Sequence, residues 1–171
     1  AFWGCDALEQ FKGKFASRDG RCLIVNETLV AFAPNGLIQY TIPDDATWIG
    51  DYAFGNCELL QKVTIPNHVT RIGADAFYYC NSLKSISIPE GVTKIASNTF
   101  NQCRNIASIS LPESLTEIEP MAFSQCCWKL SHITIPKNVK KIGYQAFYEC
   151  NKLTRVTCLA ETAPEISHRL S

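Results

Sequence analysis

The chain has no surplus of charge: 16 Lys and Arg against 16 Asp and Glu leave a formal net charge of zero. Such a balance creates no overall field to draw nucleic acid, an anionic membrane or an acidic substrate, so no nucleic-acid partner is expected. Long apolar runs are missing as well. The longest, Cys22 to Val25 and Leu29 to Ala33, fall far short of the roughly 20 residues a membrane helix needs, so membrane attachment is expected only through an anchor outside this chain. The hydrolase Gly-x-Ser-x-Gly, the phosphate loop, Gly-x-Gly-x-x-Gly and His-Glu-x-x-His are absent, which removes the commoner motif-based enzymes. Histidine is scarce, and His68, His132 and His168 are neither clustered nor spaced for ligation. Nine cysteines are present, but no two have the Cys-x-x-Cys spacing of a metal site. The reading therefore assigns no catalytic residue, no metal ligand and no cofactor, and the chain is expected not to be an enzyme. A Ser-, Gly- or Pro-rich linker is also lacking, which points to one domain over residues 1–171.

What is there is a repeat. Pro43, Pro66, Pro89, Pro112 and Pro136 follow one another at steps of 23, 23, 23 and 24 residues. Phe54, Phe77, Phe100, Phe123 and Phe147 keep the same steps, as do Ile49, Ile72, Ile95, Ile118 and Ile142. A cysteine row follows them through Cys57, Cys80, Cys103, Cys126 or Cys127, and Cys150. The extra residue of the long step falls between Phe123 and Leu130, where Cys126-Cys127-Trp128 reads as a local bulge.

Within one period Ile86-Ser87-Ile88 alternates as a half-buried strand does, and Pro89, having no amide hydrogen, ends it. Glu90-Gly91 supplies a turn and Val92 to Ile95 a second short extended piece. The stretch from Gly73 to Cys80 then has short-helix character, with Phe77 and Cys80 three apart on one face. A unit this small cannot enclose its own apolar face, so successive coils must stack into continuous internal rows. The row cysteines are expected to be reduced core residues, since side chains stacked in register point the same way and hold their Cβ atoms too far apart for a bridge.

The ends depart from the pattern. Residues 1–11 read as the second half of a repeat, as if the chain started inside one. Residues 12–36 read as a small antiparallel meander of three strands around Phe15 to Arg18, Arg21 to Val25 and Leu29 to Ala33. The regular array runs over 37–158, and 159–171 read as a cap or tail.

The string Ile65-Pro66-x-x-Val69-Thr70-x-Ile72-Gly73-x-x-Ala76-Phe77-x-x-Cys80-x-x-Leu83 resembles the BspA-like leucine-rich repeats of bacterial surface proteins. The resemblance implies an α/β solenoid, a right-handed superhelix of about six coils with a parallel inner sheet and short outer helical turns, preceded here by the N-terminal antiparallel β insertion. It also implies a secreted or cell-surface, extracellular location and an adhesive role toward a protein partner, host extracellular proteins among the candidates. The alternatives are a structural spacer displaying other domains and a carbohydrate-binding module.

The motif residues are core residues, so a partner has to be sought on the outward positions of the inner strands. These are Gln39, Lys62, Ser85, Ser108, His132 and Arg155, beside a hydroxyl row of Thr41, Thr64, Ser87, Ser110, Thr134 and Thr157. Small β-compatible residues also suit a tightly stacked parallel sheet with no partner at all. Lys62, His132 and Arg155 are the favoured contacts because they offer directional or charge-assisted hydrogen bonds, with Gln39 beside them. A second candidate is the aromatic set on the other side, Tyr78 and Tyr148 above all, together with Trp48, Tyr52, Tyr79 and Tyr144.

Overall fold

In a computed structural model, which describes residues 2, 4–126 and 128–168, the chain winds as a β-solenoid. Its strands in chain order are β1 (Cys22–Val25), β2 (Thr28–Phe32), β3 (Gln39–Thr41), β4 (Trp48–Ile49), β5 (Lys62–Thr64), β6 (Arg71–Ile72), β7 (Ser85–Ser87), β8 (Lys94–Ile95), β9 (Ser108–Ser110), β10 (Glu117–Ile118), β11 (His132–Ile135), β12 (Lys141–Ile142), β13 (Arg155–Cys158) and β14 (Glu165–Ile166). From β3 onward each coil contributes a first strand and a shorter second one. The first strands pair in parallel as β3-β5-β7-β9 and β11-β13, and the second as β2-β4-β6 and β8-β10-β12-β14. β1 and β2 form an antiparallel hairpin, whose turn places Asn26 and Glu27 at positive φ. The third strand expected near Phe15 is a single bridge, Ala16 to Leu23.

Proline sets the corner between the two strands of a coil. Pro66, Pro89, Pro112 and Pro136 cannot donate to a ladder, and each carbonyl instead accepts the amide three residues on, from Val69, Val92, Leu115 and Val139. Those four residues turn inward into the core.

The short outer helical turns expected from the Gly73–Cys80 stretch are not formed. Each such stretch carries two residues of positive φ, two positions before and two after the phenylalanine: Asp75 and Tyr79, Asn98 and Gln102, Met121 and Gln125, Gln145 and Glu149. Left-handed residues at that interval break a right-handed helix. The amides then alternate in destination. Tyr78 and Cys80 bond back within their own coil to Asp75 and Phe77, while Asp75, Phe77 and Tyr79 bond across to Ser97, Thr99 and Asn101 of the next. A helix would satisfy these groups locally, but a segment this short is marginal alone. The inter-coil bonds repeat from the Phe54 turn through the Phe123 turn and outweigh its weak local propensity.

The core is a set of in-register rows. Phe54, Phe77, Phe100, Phe123 and Phe147 stack with centroids 5.1, 5.4, 5.5 and 5.3 Å apart, a spacing close to the distance of about 4.8 Å between neighbouring strands. Phe32 extends the stack at the N-terminal end, tilted by 38° to Phe54. Ile65, Ile88 and Ile135 are buried in a second row, with Leu111 partly so. The cysteine row does more than fill space: Cys80, Cys103 and Cys150 Sγ donate to the carbonyls of Phe54, Phe77 and Phe123 in the preceding coil, at 3.1, 3.0 and 3.3 Å. Only a reduced thiol can make that bond.

At the N-terminal end Asp19 gathers Ser17 Oγ (2.6 Å), the Arg21 amide (3.0 Å) and Tyr40 Oη (3.0 Å). Partial burial pushes the Asp19 carboxyl up, but these hydrogen bonds outweigh it and hold the group below its ordinary value. At the other end Val156, Leu159 and Ile166 remain exposed.

Candidate binding face

Strand alternation turns Val63, Ile86 and Ile133 inward and leaves every outward residue of the inner strands exposed. Register brings some of the expected contacts together. Gln39 lies beside Lys62, which lies beside Ser85 and then Ser108, while His132 lies beside Arg155. Two polar pairs thus stand at either side of a serine-floored stretch. Tyr78 and Tyr148 do not join them, because they sit in the outer turns, three coils apart from each other. Tyr78 is half-buried with its ring 6.0 Å from Tyr79, and Tyr148 is exposed.

This face is not continuous. No ladder joins β9 to β11 among the described residues, and this gap falls in the coil that contains the extra residue of the 24-residue step. At this gap lies a cleft of about 280 Å³ lined by Ser108, Ser110, Glu113, His132, Thr134 and Pro136, among others. His132 Nδ1 lies 3.3 Å from Ser131 Oγ. The cleft therefore combines hydroxyls, an imidazole and a carboxylate beside strand edges whose backbone groups have no ladder partner. Such groups are available to a ligand.

The second strands carry an outward row of their own, which the reading of the inner strands passed over: Trp48, Arg71, Lys94, Glu117, Lys141 and Glu165, each one residue before the buried isoleucine or its equivalent. Its signal was present as a polar or aromatic residue recurring at the same steps as the isoleucines. Lys94 Nζ lies 2.9 Å from Glu117 and 3.0 Å from Glu119, and Lys141 Nζ lies 3.5 Å from Glu117. The hydrogen bond from Lys94 lowers the Glu117 carboxyl, and those to Glu117 and Glu119 raise the Lys94 ammonium. These carboxylates thus link neighbouring coils, and Glu119 also accepts the Ser97 amide at 2.9 Å.

The buried thiols of Cys22, Cys57 and Cys80 are not set up as nucleophiles. Burial pushes Cys57 and Cys80 well up and Cys22 up to about 12, the opposite of what an activated cysteine needs. Among the described residues no group of three His, Cys, Asp or Glu is placed to hold a metal ion.

The BspA-type leucine-rich repeat region matches the chain in six copies over residues 29–156. No curated protein sequence matches it. Among solved structures, a leucine-rich repeat protein of Treponema pallidum is 28% identical with a TM-score of 0.72, the match covering 86% of this chain and 71% of that one. A leucine-rich repeat protein of Bacteroides ovatus is 31% identical with a TM-score of 0.70, the match covering 87% of this chain and only 40% of that one. The match therefore spans less than half of the second chain's length and most of the first's. On the six in-register copies and on these likenesses, the chain belongs to the BspA-type leucine-rich repeat family.

Proposed function

We propose that the chain is a non-enzymatic, extracellular or cell-surface module that binds a protein partner through its inner face. The observation that carries this reading is the cleft between β9 and β11, which interrupts a rigid polar face at His132. A partner chain laid across the face meets the Gln39–Lys62 pair on one side of the cleft and the His132–Arg155 pair on the other. Parallel stacking fixes the backbone of that platform before binding, so little ordering cost falls on this side. Lys62 and Arg155 supply charge-assisted hydrogen bonds at the flanks. Host extracellular proteins are the class to screen, as the location implies.

The test is a binding screen of the chain against extracellular host proteins, followed by Lys62→Ala with Arg155→Ala. Both side chains lie outside the core, so the double change should weaken binding by about tenfold or more with the melting temperature unchanged. Affinity that survives it, but falls on replacing Tyr78 or Tyr148, would move the contact to the outer turns.

A further inference from the structure

The exposed tryptophan of the second strands lies on a different face from the proposed protein contact. Thr28, Trp48 and Arg71 are consecutive in register across β2, β4 and β6. Arg71 lays its guanidinium over the indole, 5.0 Å from the ring centroid, while Trp48 keeps 43% of its surface open to solvent. Among the described residues no carboxylate lies within ion-pair distance of Arg71, whereas Lys94, the next cation in the row, is clasped by Glu117 and Glu119. Arg71 is thus a cation held in place by stacking, with its hydrogen-bonding edge not used in an ion pair.

Two clefts meet at this point. One, of about 320 Å³, runs past Thr28 and Val30, and the other, of about 620 Å³, runs past Thr70, Thr93 and Lys94. Trp48, Asp51, Arg71 and Gly73 line both, so together they form one trough. The larger cleft lies where the second ladder is interrupted between β6 and β8. Asp51 is fixed in the trough by the Ala74 amide, which donates to Oδ1 at 2.9 Å. Gly73 is what admits it, since a Cβ there would lie 2.7 Å from the Asp51 amide nitrogen.

We propose that this trough is a binding subsite for an acidic sugar, a pyranose bearing one carboxylate, at the end or within a glycan. The apolar C–H face of the ring packs on Trp48, the carboxylate takes the planar guanidinium of Arg71 in a bidentate pair, and Asp51 and the threonine hydroxyls accept and donate to the ring hydroxyls. Charge selects this occupant over an acidic peptide. Asp51 and Glu119 sit in the same trough and oppose a run of carboxylates, yet a sugar offering one carboxylate among hydroxyls satisfies both signs.

The test is titration of the whole chain with oligosaccharides ending in glucuronate or in neuraminate, with their methyl esters and with a neutral counterpart. Ligand-observed NMR reads the sugar, and indole fluorescence reads the protein. The expected result is saturable binding of one or both acids, weakened by about tenfold or more in the esters and in Arg71→Leu. Trp48→Ala should abolish it, while Trp128→Ala leaves both binding and the fluorescence change intact. The two acids distinguish a uronic from a sialic sugar. Circular dichroism melts identical to the parent show that the variants fold, as exposed positions allow. Equal binding of acid and ester, binding retained in Trp48→Ala, or saturation by an oligoglutamate peptide but by neither sugar would each overturn the proposal. The inner-face variant Lys62→Ala with Arg155→Ala should leave sugar binding unchanged, so this subsite and the protein-binding reading fail independently.

Discussion

Phe77 and Phe100 stack with ring centroids 5.4 Å apart and planes 7° from parallel, both fully buried. Each ring is also the floor for the next coil, so a gap opened there faces two neighbours whose backbones are tied by inter-coil hydrogen bonds and cannot collapse inward. Phe100→Ala should therefore cost about 3–5 kcal/mol, the usual range for a buried phenylalanine. Phe147→Ala, at a partly buried end of the row, should cost less. Urea denaturation of the two variants measures both, and equal losses would show that the stack is not continuous.

Gln145 has a φ of 53°, a conformation that costs a residue with a Cβ about 1–2 kcal/mol. Gln145→Gly removes that strain and gives back part of the gain through a freer unfolded chain. A net rise of about 0.5–1 kcal/mol in stability is expected. Gln145→Val, β-branched, should fall instead. The pair of denaturation midpoints decides it, because a helical turn at this position would reverse the order, with valine tolerated and glycine harmful.

The buried thiols give the fold an alkaline limit. Burial raises Cys22, Cys57 and Cys80 above their ordinary value of 9.0, so above that pH the unfolded chain loses protons that the folded chain keeps. Their contribution is complete below about pH 9 and is lost as pH climbs toward the folded values, at about 1.4 kcal/mol per pH unit for each thiol. Urea midpoints measured from pH 8 upward should drop steadily, and less so in Cys22→Ala. In the native state at neutral pH, exposed Cys5 and Cys158 should react with a thiol reagent well before Cys57, Cys80 and Cys103. A flat midpoint, or equal labelling rates, would contradict the burial.

The rows were legible because each coil repeats one environment. A core position met by the same neighbours in every coil selects the same residue, and Pro66, Phe77 and Ile72 recur for that reason. The outer turns were not legible from local pattern, since Ala76-Phe77-Tyr78-Tyr79 suits a helix and what defeats it is a set of bonds to residues 22 positions on, such as Phe77 N to Thr99 O. Asn56, Asp75 and Asn98 held the clue, being types that tolerate the left-handed region. The extra residue at Cys126-Cys127-Trp128 could be read from the spacing, but the local bulge expected there falls on Cys127, outside the described residues. The break between β9 and β11 beside His132 required the register of the strands themselves, which no local pattern carries. Trp48 was noticed as one aromatic of several, but its pairing with Arg71 depends on the two-residue strands β4 and β6, too short to carry a period.

The central claim is that the inner face, at the cleft beside His132, is where a protein partner docks. Ser110 is exposed on that face and lines the cleft, so Ser110→Trp fills it without entering the core. The decisive measurement is the affinity of this variant for a partner found in the extracellular screen, beside the melting temperatures of both proteins. The account predicts that binding is lost while the melting temperature holds. An affinity equal to that of the parent chain, with the cleft filled, would contradict it.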